Sequence, residues 1–265
     1  MYGAILGDMI GSPYEFDRSP KSKDFPLFIP VSRFTDDTAM TVAVADALME
    51  SREKSGDLPA AVVERMQYWG RKYPDAGYGG RFRQWLFTRD PGPYNSWGNG
   101  SAMRVSAVGW FFDSLRETER AAMLTAAVTH NHPEGVKGAK AVAAAIYLAR
   151  MGTGKAGIRE YISEKCGYNL NRSCDEIRPG YKFDVSCQGT VPEAITAFLE
   201  AKDFEDNLRL AVSLGGDCDT LTCISAAIGE AFWGVPEELK LECRKRLPED
   251  MLEVVDRFYA TVKSK

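Results

Sequence analysis

Residues 38–49 read TAMTVAVADALM, and residues 220–232 read TLTCISAAIGEAF. In both stretches apolar residues recur at the three- and four-residue spacing of an α-helix, and almost no polar face is left. A helix that is apolar nearly all round is buried on most of its sides. We therefore expect both segments to run through the middle of a helical protein, where their small residues would let neighbouring helices approach closely.

A pair of acidic residues precedes each of these helices. Asp36 and Asp37 lie directly before the first helix, and Asp217 and Asp219 lie before the second. A carboxylate near a helix N-terminus gains about 0.3–1 kcal/mol from the helix dipole, which is too little to hold four negative charges together if the two ends meet. Crowded carboxylates instead take up protons or bind a cation. Helix capping explains either pair alone, so the metal hypothesis depends on both pairs together.

The groups beside these acids indicate which cation they would bind. The hydroxyls of Thr35, Thr38 and Thr220 flank the carboxylates, so the donors are all oxygen atoms. Oxygen donors suit Mg²⁺ or Mn²⁺ and disfavour zinc, which prefers histidine and cysteine. Four acids are more than one Mg²⁺ needs, whereas two ions about 3.5–4 Å apart would use them well. The residues therefore favour a site for two Mg²⁺ or Mn²⁺ ions and no zinc.

Helical spacing extends over most of the remaining chain, and alternating strand patterns are nearly absent. The sequence predicts helices over residues 38–52, 59–72, 100–112, 117–130, 133–150, 192–201, 204–214, 220–233, 236–246 and 251–262. Their expected start signals are first-turn prolines and N-cap aspartates, namely Pro59, Pro133, Pro192, Pro236, Asp203 and Asp219. Loops are expected over residues 11–34, 75–80, 88–100 and 167–188. We predict one all-α domain over residues 1–265.

Composition and charge exclude several classes of protein. Hydrophobic residues make up 45% of the 265, which excludes a disordered chain, and a net charge of −4 makes non-specific binding to nucleic acid or to acidic membranes unlikely. The apolar runs are about half of the ~18–20 residues that a membrane-spanning helix requires. Residues 1–10 do not resemble a secretory signal, because they contain Asp8 and no basic residue. The six cysteines form no C-x-x-C pair, so we expect reduced thiols in a cytoplasmic protein.

Six motifs occur in a fixed order that resembles a known family. Each motif is weak alone, and the order of all six is specific. They are GAILGDMIGSPYE at 3–15, FTDDT at 34–38, GYGG at 77–80, SWGNGSAMR at 96–104, TH at 129–130 and GGDCDT at 215–220. In this respect the sequence is similar to the ADP-ribosylglycohydrolases, the group of the ADP-ribosyl-acceptor hydrolases and the dinitrogenase reductase-activating glycohydrolase.

The resemblance implies a fold, a metal site and catalytic residues. The family fold is an all-α orthogonal bundle that holds two Mg²⁺ or Mn²⁺ ions. The residues that match the family's metal ligands are Thr35, Asp36, Asp37, Asp217, Asp219 and Thr220, with Asp219 expected to bridge the ions. Glu15 matches a glutamate on a mobile loop, and Glu15, Asp36 and Asp217 are the expected catalytic residues. Either Glu15 or Asp217 could transfer the proton.

The resemblance also implies a cleft for ADP-ribose. The residues that match its lining are Gly79, Gly80, Ser96, Trp97, Gly98, Asn99, Gly100 and His130. A glycine-rich loop that opens a helix presents backbone N–H groups to a diphosphate. From sequence alone, Trp97 could stack on a ribose or purine or could cover the edge of the core. His130 could bind the ligand or cap a helix, and for His132 capping is the preferred interpretation.

The implied reaction is hydrolysis of the bond between ribose C1″ and an acceptor, with an ADP-ribosylated protein or small molecule as substrate. Departure of the acceptor leaves oxocarbenium-like charge on the sugar, which a nearby carboxylate can stabilise. The loop over residues 77–86 carries no carboxylate, so arginine, serine, nucleobase and small-molecule linkages all remain open. Cys218, between the last two acids, could make the site sensitive to oxidation.

Three other classes of protein share some of these features. An all-α isoprenoid synthase also uses acidic pairs and Mg²⁺, but the sequence after Asp36 and Asp37 lacks the third acid of an Asp-Asp-x-x-Asp motif. A histidine-aspartate phosphohydrolase needs more than the two histidines present. A non-catalytic ADP-ribose-binding or crystallin-like relative would usually have lost some of the four metal acids. The sequence therefore favours an active hydrolase.

Overall fold

The computed structural model describes residues 1–263 of the chain. Its helices are α1 (Tyr2–Gly11), α2 (Asp36–Glu53), α3 (Leu58–Lys72), α4 (Gly80–Phe87), α5 (Gly100–Met103), α6 (Ser106–Phe111), α7 (Leu115–Ala127), α8 (Pro133–Arg150), α9 (Lys155–Cys166), α10 (Cys174–Ile177), α11 (Cys187–Glu200), α12 (Phe204–Leu214), α13 (Cys218–Trp233), α14 (Glu237–Arg246) and α15 (Glu249–Lys263). A short 3₁₀-helix, Ser12–Tyr14, follows α1. No strand occurs over the described residues, where one isolated bridge joins Gly98 to Ser186, so the all-α prediction is confirmed.

The two apolar helices lie at the centre of the bundle, as the sequence predicts. In α2 every residue from Asp37 to Met49 is buried, and in α13 every residue from Cys218 to Glu230 is buried. Helix α13 packs against α1, α8, α11 and α12, and α2 packs against α3 and α15. Because the buried faces surround each helix, neither has a polar stripe that solvent could reach.

Helix α1 is the main element that the sequence did not predict. It packs along α13, and a Cβ added at Gly3, Gly7 or Gly11 would overlap the backbone of α13 at Ala226, Thr222 or Cys218. Both sets of residues recur every four positions, so the two backbones touch along one continuous seam. Each glycine costs about 1 kcal/mol of helix propensity, and the close packing that these glycines allow overrides that cost.

Several predicted boundaries were wrong. Pro192 lies inside α11 rather than in its first turn, because Ser186 caps the helix by accepting a hydrogen bond from the Gly189 N–H. The N-cap of α13 is Asp217, so Asp219 lies in the first turn instead. The predicted helix over residues 100–112 is divided into α5 and α6. Helices α4, α9 and α10 were not predicted.

Three of the other start signals were correct, and the fourth, Pro236, was wrong. Asp203 caps α12 by accepting a hydrogen bond from the Asp206 N–H, and Pro133 is the first residue of α8. Pro59 lies in the first turn of α3, whereas Pro236 is the N-cap of α14. Among residues 1–263 we find no helix that is both long and apolar enough to cross a membrane.

Candidate active site

The N-termini of α2 and α13 meet in the folded chain. The Thr220 hydroxyl donates a hydrogen bond to Asp37 Oδ1 at 3.3 Å, although the two residues are 183 positions apart in the sequence. Asp36, Asp37, Asp217, Asp219 and Thr220 all line one cavity of about 520 Å³. The two acidic pairs therefore form a single cluster at the floor of this cavity.

Glu15 joins the acidic cluster from the loop that follows α1. One carboxylate oxygen from each of Glu15, Asp217 and Asp219 lies within 4.8 Å of the other two. Burial, and then the charge of Asp219, raise the pKa of Glu15 to about 8. The loop turns sharply after Glu15, because Phe16 and Asp17 both adopt the left-handed conformation, with φ of 56° and 60°.

The acidic cluster fits divalent cations. Burial raises the pKa of Asp36, Asp37 and Asp219 well above the usual range for aspartate, and neighbouring carboxylates raise it further. Asp37 Oδ2 is buried and has no hydrogen-bond partner within residues 1–263. A buried carboxylate oxygen without a partner costs free energy unless a proton or a cation satisfies it. With hydroxyl oxygens beside them, these acids offer the donors that Mg²⁺ and Mn²⁺ prefer.

Thr35, the N-cap of α2, connects the cluster to α1. Its hydroxyl accepts a hydrogen bond from the Asp37 N–H and donates one to Asp8 Oδ1 at 2.7 Å. Asp8 is fully buried, and it also accepts hydrogen bonds from the Thr35 and Thr38 N–H groups and from the Thr38 hydroxyl. Burial raises the pKa of Asp8 to about 6. No role was assigned to Asp8 from the sequence, because helical periodicity does not show that a residue of one helix caps another.

Asn99 supports the second acidic pair. Its side-chain amide donates to Asp217 Oδ2 at 2.6 Å and to Thr190 Oγ1 at 3.0 Å. Burial raises the pKa of Asp217 to about 6, and the hydrogen bond from Asn99 opposes that rise. The Asn99 side chain is thus engaged in orienting a carboxylate, although the residue also lines the cavity.

The loop over residues 96–100 forms one wall of the cavity. The Gly98 N–H donates to Ser96 Oγ and the Asn99 N–H donates to the Val185 carbonyl, so these two N–H groups are not free for a diphosphate. This differs from the expectation of a loop with free N–H groups. Trp97 lines the cavity and is 48% exposed, which places it on the cavity wall rather than within the core.

The two histidines have different surroundings. His130 is buried beside the cavity, where its Nδ1 lies 2.7 Å from Thr129 Oγ1. Burial and the nearby Arg104 guanidinium hold the pKa of His130 well below its usual range, so the ring is neutral. His132 caps the N-terminus of α8 by accepting a hydrogen bond from the Glu134 N–H, whereas the capping expected from the sequence was at the C-terminus of the preceding helix.

The remaining predicted substrate residues, Gly79 and Gly80, also line the cavity. Gly79 is the N-cap of α4 and Gly80 is its first residue, and both are exposed in the cavity. A Cβ added at either glycine would meet no atom within 4 Å, so open space surrounds this part of the cavity lining.

Several exposed side chains at the cavity mouth were not predicted. Phe16 and Phe183 are 55% and 39% exposed, and their ring centroids lie 5.1 Å apart. Arg81 also lines the cavity, and its guanidinium lies 4.8 Å from the ring centroid of Tyr94. The phenylalanines lie on loops without helical periodicity, so no pattern in the sequence distinguishes them from core aromatics.

Cys218 does not face the cluster. It is fully buried, and its thiol lies 3.7 Å from the Val212 carbonyl in α12. Burial, followed by the charge of Asp219, raises the pKa of the Cys218 thiol. A protonated thiol without solvent contact is a poor nucleophile, so the structure does not support the expected sensitivity to oxidation. All six cysteines are free.

Comparison with known proteins agrees with this geometry. The family model described as ADP-ribosylglycohydrolase matches residues 1–265. ADP-ribosylhydrolase ARH3 of Homo sapiens is 27% identical, with 94% of this chain and 89% of that protein covered. ADP-ribosylarginine hydrolase Tri1 of Pseudomonas putida (strain GB-1) is 25% identical, with 89% and 70% covered.

A solved structure described as an ADP-ribosylglycohydrolase-related protein complex shares the fold. It superposes with a TM-score of 0.73 at 21% identity, and the match covers 98% of this chain and 95% of that one. An all-α bundle with a buried acidic cluster thus coincides with a family match over the full sequence. The chain therefore belongs to the ADP-ribosylglycohydrolase family and is a hydrolase.

Proposed function

We propose that this hydrolase depends on divalent cations and cleaves the bond between ribose C1″ of ADP-ribose and an acceptor, releasing free ADP-ribose. The observation that carries the proposal is the meeting of two acidic helix N-termini in one cavity of about 520 Å³. A cavity of this volume is within the range of small-molecule sites, and its walls combine glycine backbone with exposed aromatic rings.

Six residues would hold the cations. They are Thr35, Asp36, Asp37, Asp217, Asp219 and Thr220, whose oxygen atoms would ligate two Mg²⁺ or Mn²⁺ ions. When bound, the ions would supply positive charge that offsets the buried carboxylates and binds the vicinal hydroxyls of the distal ribose. The unpartnered Asp37 Oδ2 and the oxygen-only donor set support this assignment.

The cavity walls would bind the ADP-ribose moiety. Trp97 presents a half-exposed ring on which a purine or ribose can stack, and Ser96, Gly98 and Gly100 lie on the same loop. Gly79 and Gly80 also line the cavity, where they leave room for the ligand. Neutral His130 can exchange hydrogen bonds with the ligand without repelling or attracting its phosphates.

Glu15, Asp36 and Asp217 are the proposed catalytic carboxylates. The charge that develops on the sugar as the acceptor leaves lies next to this cluster, which stabilises it. We assign proton transfer to Glu15, because it lies on a loop at the partly exposed side of the cluster. Asp217 is less suited to that task, since one of its oxygens is held by Asn99.

The acceptor group decides which ADP-ribosylated substrate is cleaved. The relatives differ on this point, because Tri1 is named for arginine and ARH3 is not. We propose an ADP-ribosylated protein or small molecule as the substrate class. We also propose that residues 1–265 form one domain acting in the cytoplasm, a view that the full-length family match and the six free cysteines support.

A release assay tests the function. The purified protein is incubated with Mn²⁺ or Mg²⁺ and with arginine-, serine- and nucleobase-linked ADP-ribose, and free ADP-ribose is measured by chromatography. We expect release from at least one linkage, loss of release in excess chelator, and recovery when cation is returned. Release that continues unchanged in excess chelator would contradict the cation dependence, and no release from any linkage would contradict the proposed reaction.

A further inference from the structure

We propose that Asp8 is a positioning residue, which turns the Thr35 hydroxyl and the N-terminus of α2 toward the cation site. The inference rests on the proposed cation site and adds a residue that does not itself bind the ions. Asp8 is fully buried and is not among the described residues that line the cavity, so it acts through its neighbours.

The hydrogen bonds of Asp8 all point toward the start of α2. Its Oδ1 accepts from the Thr35 hydroxyl, and its Oδ2 accepts from the Thr35 N–H at 2.8 Å and the Thr38 N–H at 3.1 Å. The Thr38 hydroxyl also donates to Oδ2. A carboxylate from α1 thus binds two N–H groups at the N-terminus of α2 and two hydroxyls beside them. This arrangement fixes where Asp36 and Asp37 begin the helix.

The direction of the Thr35 hydroxyl matters for ligation. The Thr35 hydroxyl donates its only proton to Asp8. Its oxygen can therefore act only as an acceptor, through its two lone pairs. One of these lone pairs accepts from the Asp37 N–H at 3.3 Å, so the other is the one that would ligate a cation. Outer partners of this kind orient metal ligands and raise their affinity.

Helix α1 also fixes the second acidic motif. A Cβ at Gly11 would lie 2.5 Å from the Cys218 carbonyl and 2.6 Å from the Asp219 Cα, so α1 touches the backbone of α13 at the motif itself. Asp8 lies one turn before Gly11 on the same helix. Helix α1 is therefore a rigid spacer, with Asp8 holding the Thr35–Thr38 segment and Gly11 holding the Asp217–Asp219 turn.

The test measures cation binding without turnover. Mn²⁺ is titrated calorimetrically into substrate-free wild-type, Asp8→Asn, Thr35→Val and doubly substituted protein, each shown to be folded by circular dichroism. We expect Asp8→Asn to weaken Mn²⁺ binding about 10- to 100-fold, the usual effect of removing an outer partner of a metal ligand. If Asp8 acts through Thr35, the double variant should bind about as weakly as Thr35→Val alone.

Thr41→Val is the matched control. It removes a buried hydroxyl of α2 that donates to the Met103 carbonyl rather than to Asp8 and that is not among the cavity-lining residues, so its Mn²⁺ affinity should stay near that of the wild type. If Asp8→Asn fails to fold, Thr35→Ser and Thr35→Val replace it, because serine keeps the hydroxyl bond and valine removes it. Thr35→Ser should then retain the affinity that Thr35→Val loses.

Two outcomes would overturn the proposal separately from the function. Folded Asp8→Asn with wild-type Mn²⁺ affinity, or Thr35→Val with the affinity of Thr35→Ser, would overturn the role of Asp8 while leaving the cation site intact. Wild-type protein that binds no Mn²⁺ would instead remove the cation site, and the role of Asp8 with it.

Discussion

The carboxylates at the floor of the cavity differ in how they are held. Asp217 is oriented by Asn99, Asp37 keeps one oxygen without a partner among residues 1–263, and Glu15 approaches from a loop. These carboxyl groups lie close enough to raise one another's pKa. Protons or cations are therefore needed to compensate their negative charges. At this scale the chemistry depends on single side chains, so single substitutions should separate binding from folding.

Substituting Asp219 should abolish hydrolysis. Asp219→Asn keeps the shape of the side chain but removes the charge that would bridge two cations, and it also relieves repulsion with Asp217. We expect an inactive protein with a wild-type circular dichroism spectrum. The control is Asp203→Asn, since Asp203 also lies at a helix N-terminus but outside the cavity, and it should keep full activity. Unchanged turnover in Asp219→Asn would contradict the assignment.

Trp97 should contribute to affinity for ADP-ribose. Loss of a base-stacking aromatic ring costs about 1–3 kcal/mol, so Trp97→Ala should bind ADP-ribose roughly 5- to 150-fold more weakly. Trp97→Phe, which keeps a flat ring, should retain most of the affinity. Both are measured by calorimetric titration with ADP-ribose. If Trp97→Ala binds as tightly as the wild type, the ring does not stack on the ligand.

The position of the acidic cluster depends on which helix ends meet in the fold. Helix α13 carries one acidic motif, α2 carries the other, and α1 contacts the first along a glycine seam and the second through Asp8. The chain segments that build the site are far apart in sequence. Helix packing, rather than a short connecting loop, therefore brings them together. Substitutions at the glycines of α1 that contact α13 should therefore lower the stability of the fold, even though they leave the acidic side chains unchanged.

The α1 seam gives a stability prediction. A Cβ at Gly7 would overlap the Thr222 carbonyl, which is backbone and cannot rotate away, so Gly7→Ala should lower the free energy of unfolding by about 1–3 kcal/mol. Gly180→Ala is the control, because its Cβ would meet no atom within 4 Å. Urea unfolding measures both variants. Equal stability of Gly7→Ala and wild type would mean that the seam is looser than the structure shows.

Sequence patterns predicted some elements much better than others. Helices α8 and α12 were predicted to the residue, because Pro133 and Asp203 mark their starts. Helix α1 was not predicted, because glycine has a low helix propensity. Its glycines allow close packing against α13, which the sequence alone does not show. The acidic cluster was predictable from two helix starts. Asp8 and the aromatic mouth were not, because they depend on contacts between segments that no local pattern records.

At the scale of the whole molecule, the buried acidic cluster should make stability depend on pH when cations are removed. Burial raises the pKa of Asp8 and Asp217 to about 6 and that of Glu15 to about 8. The folded state then binds protons that the unfolded state releases above about pH 4, so folding stability falls as pH rises toward 8.

Thermal unfolding measures this dependence. In excess chelator the midpoint temperature should fall between about pH 5 and 8, and saturating Mn²⁺ should raise the midpoint most at the upper end of that range, because ligands that bind only the folded state stabilise it. Asp219→Asn should flatten the pH dependence in chelator. A midpoint that rises with pH in chelator would contradict the raised pKa values.

We propose that the N-termini of α2 and α13 form one site for two cations, and electron paramagnetic resonance of bound Mn²⁺ can show whether two ions share it. Two Mn²⁺ ions a few ångströms apart are exchange-coupled and give a broadened multiline spectrum, whereas isolated Mn²⁺ gives six lines. We predict two equivalents per chain with a coupled spectrum that Asp219→Asn abolishes. A six-line spectrum from saturated wild-type protein would contradict a shared dinuclear site.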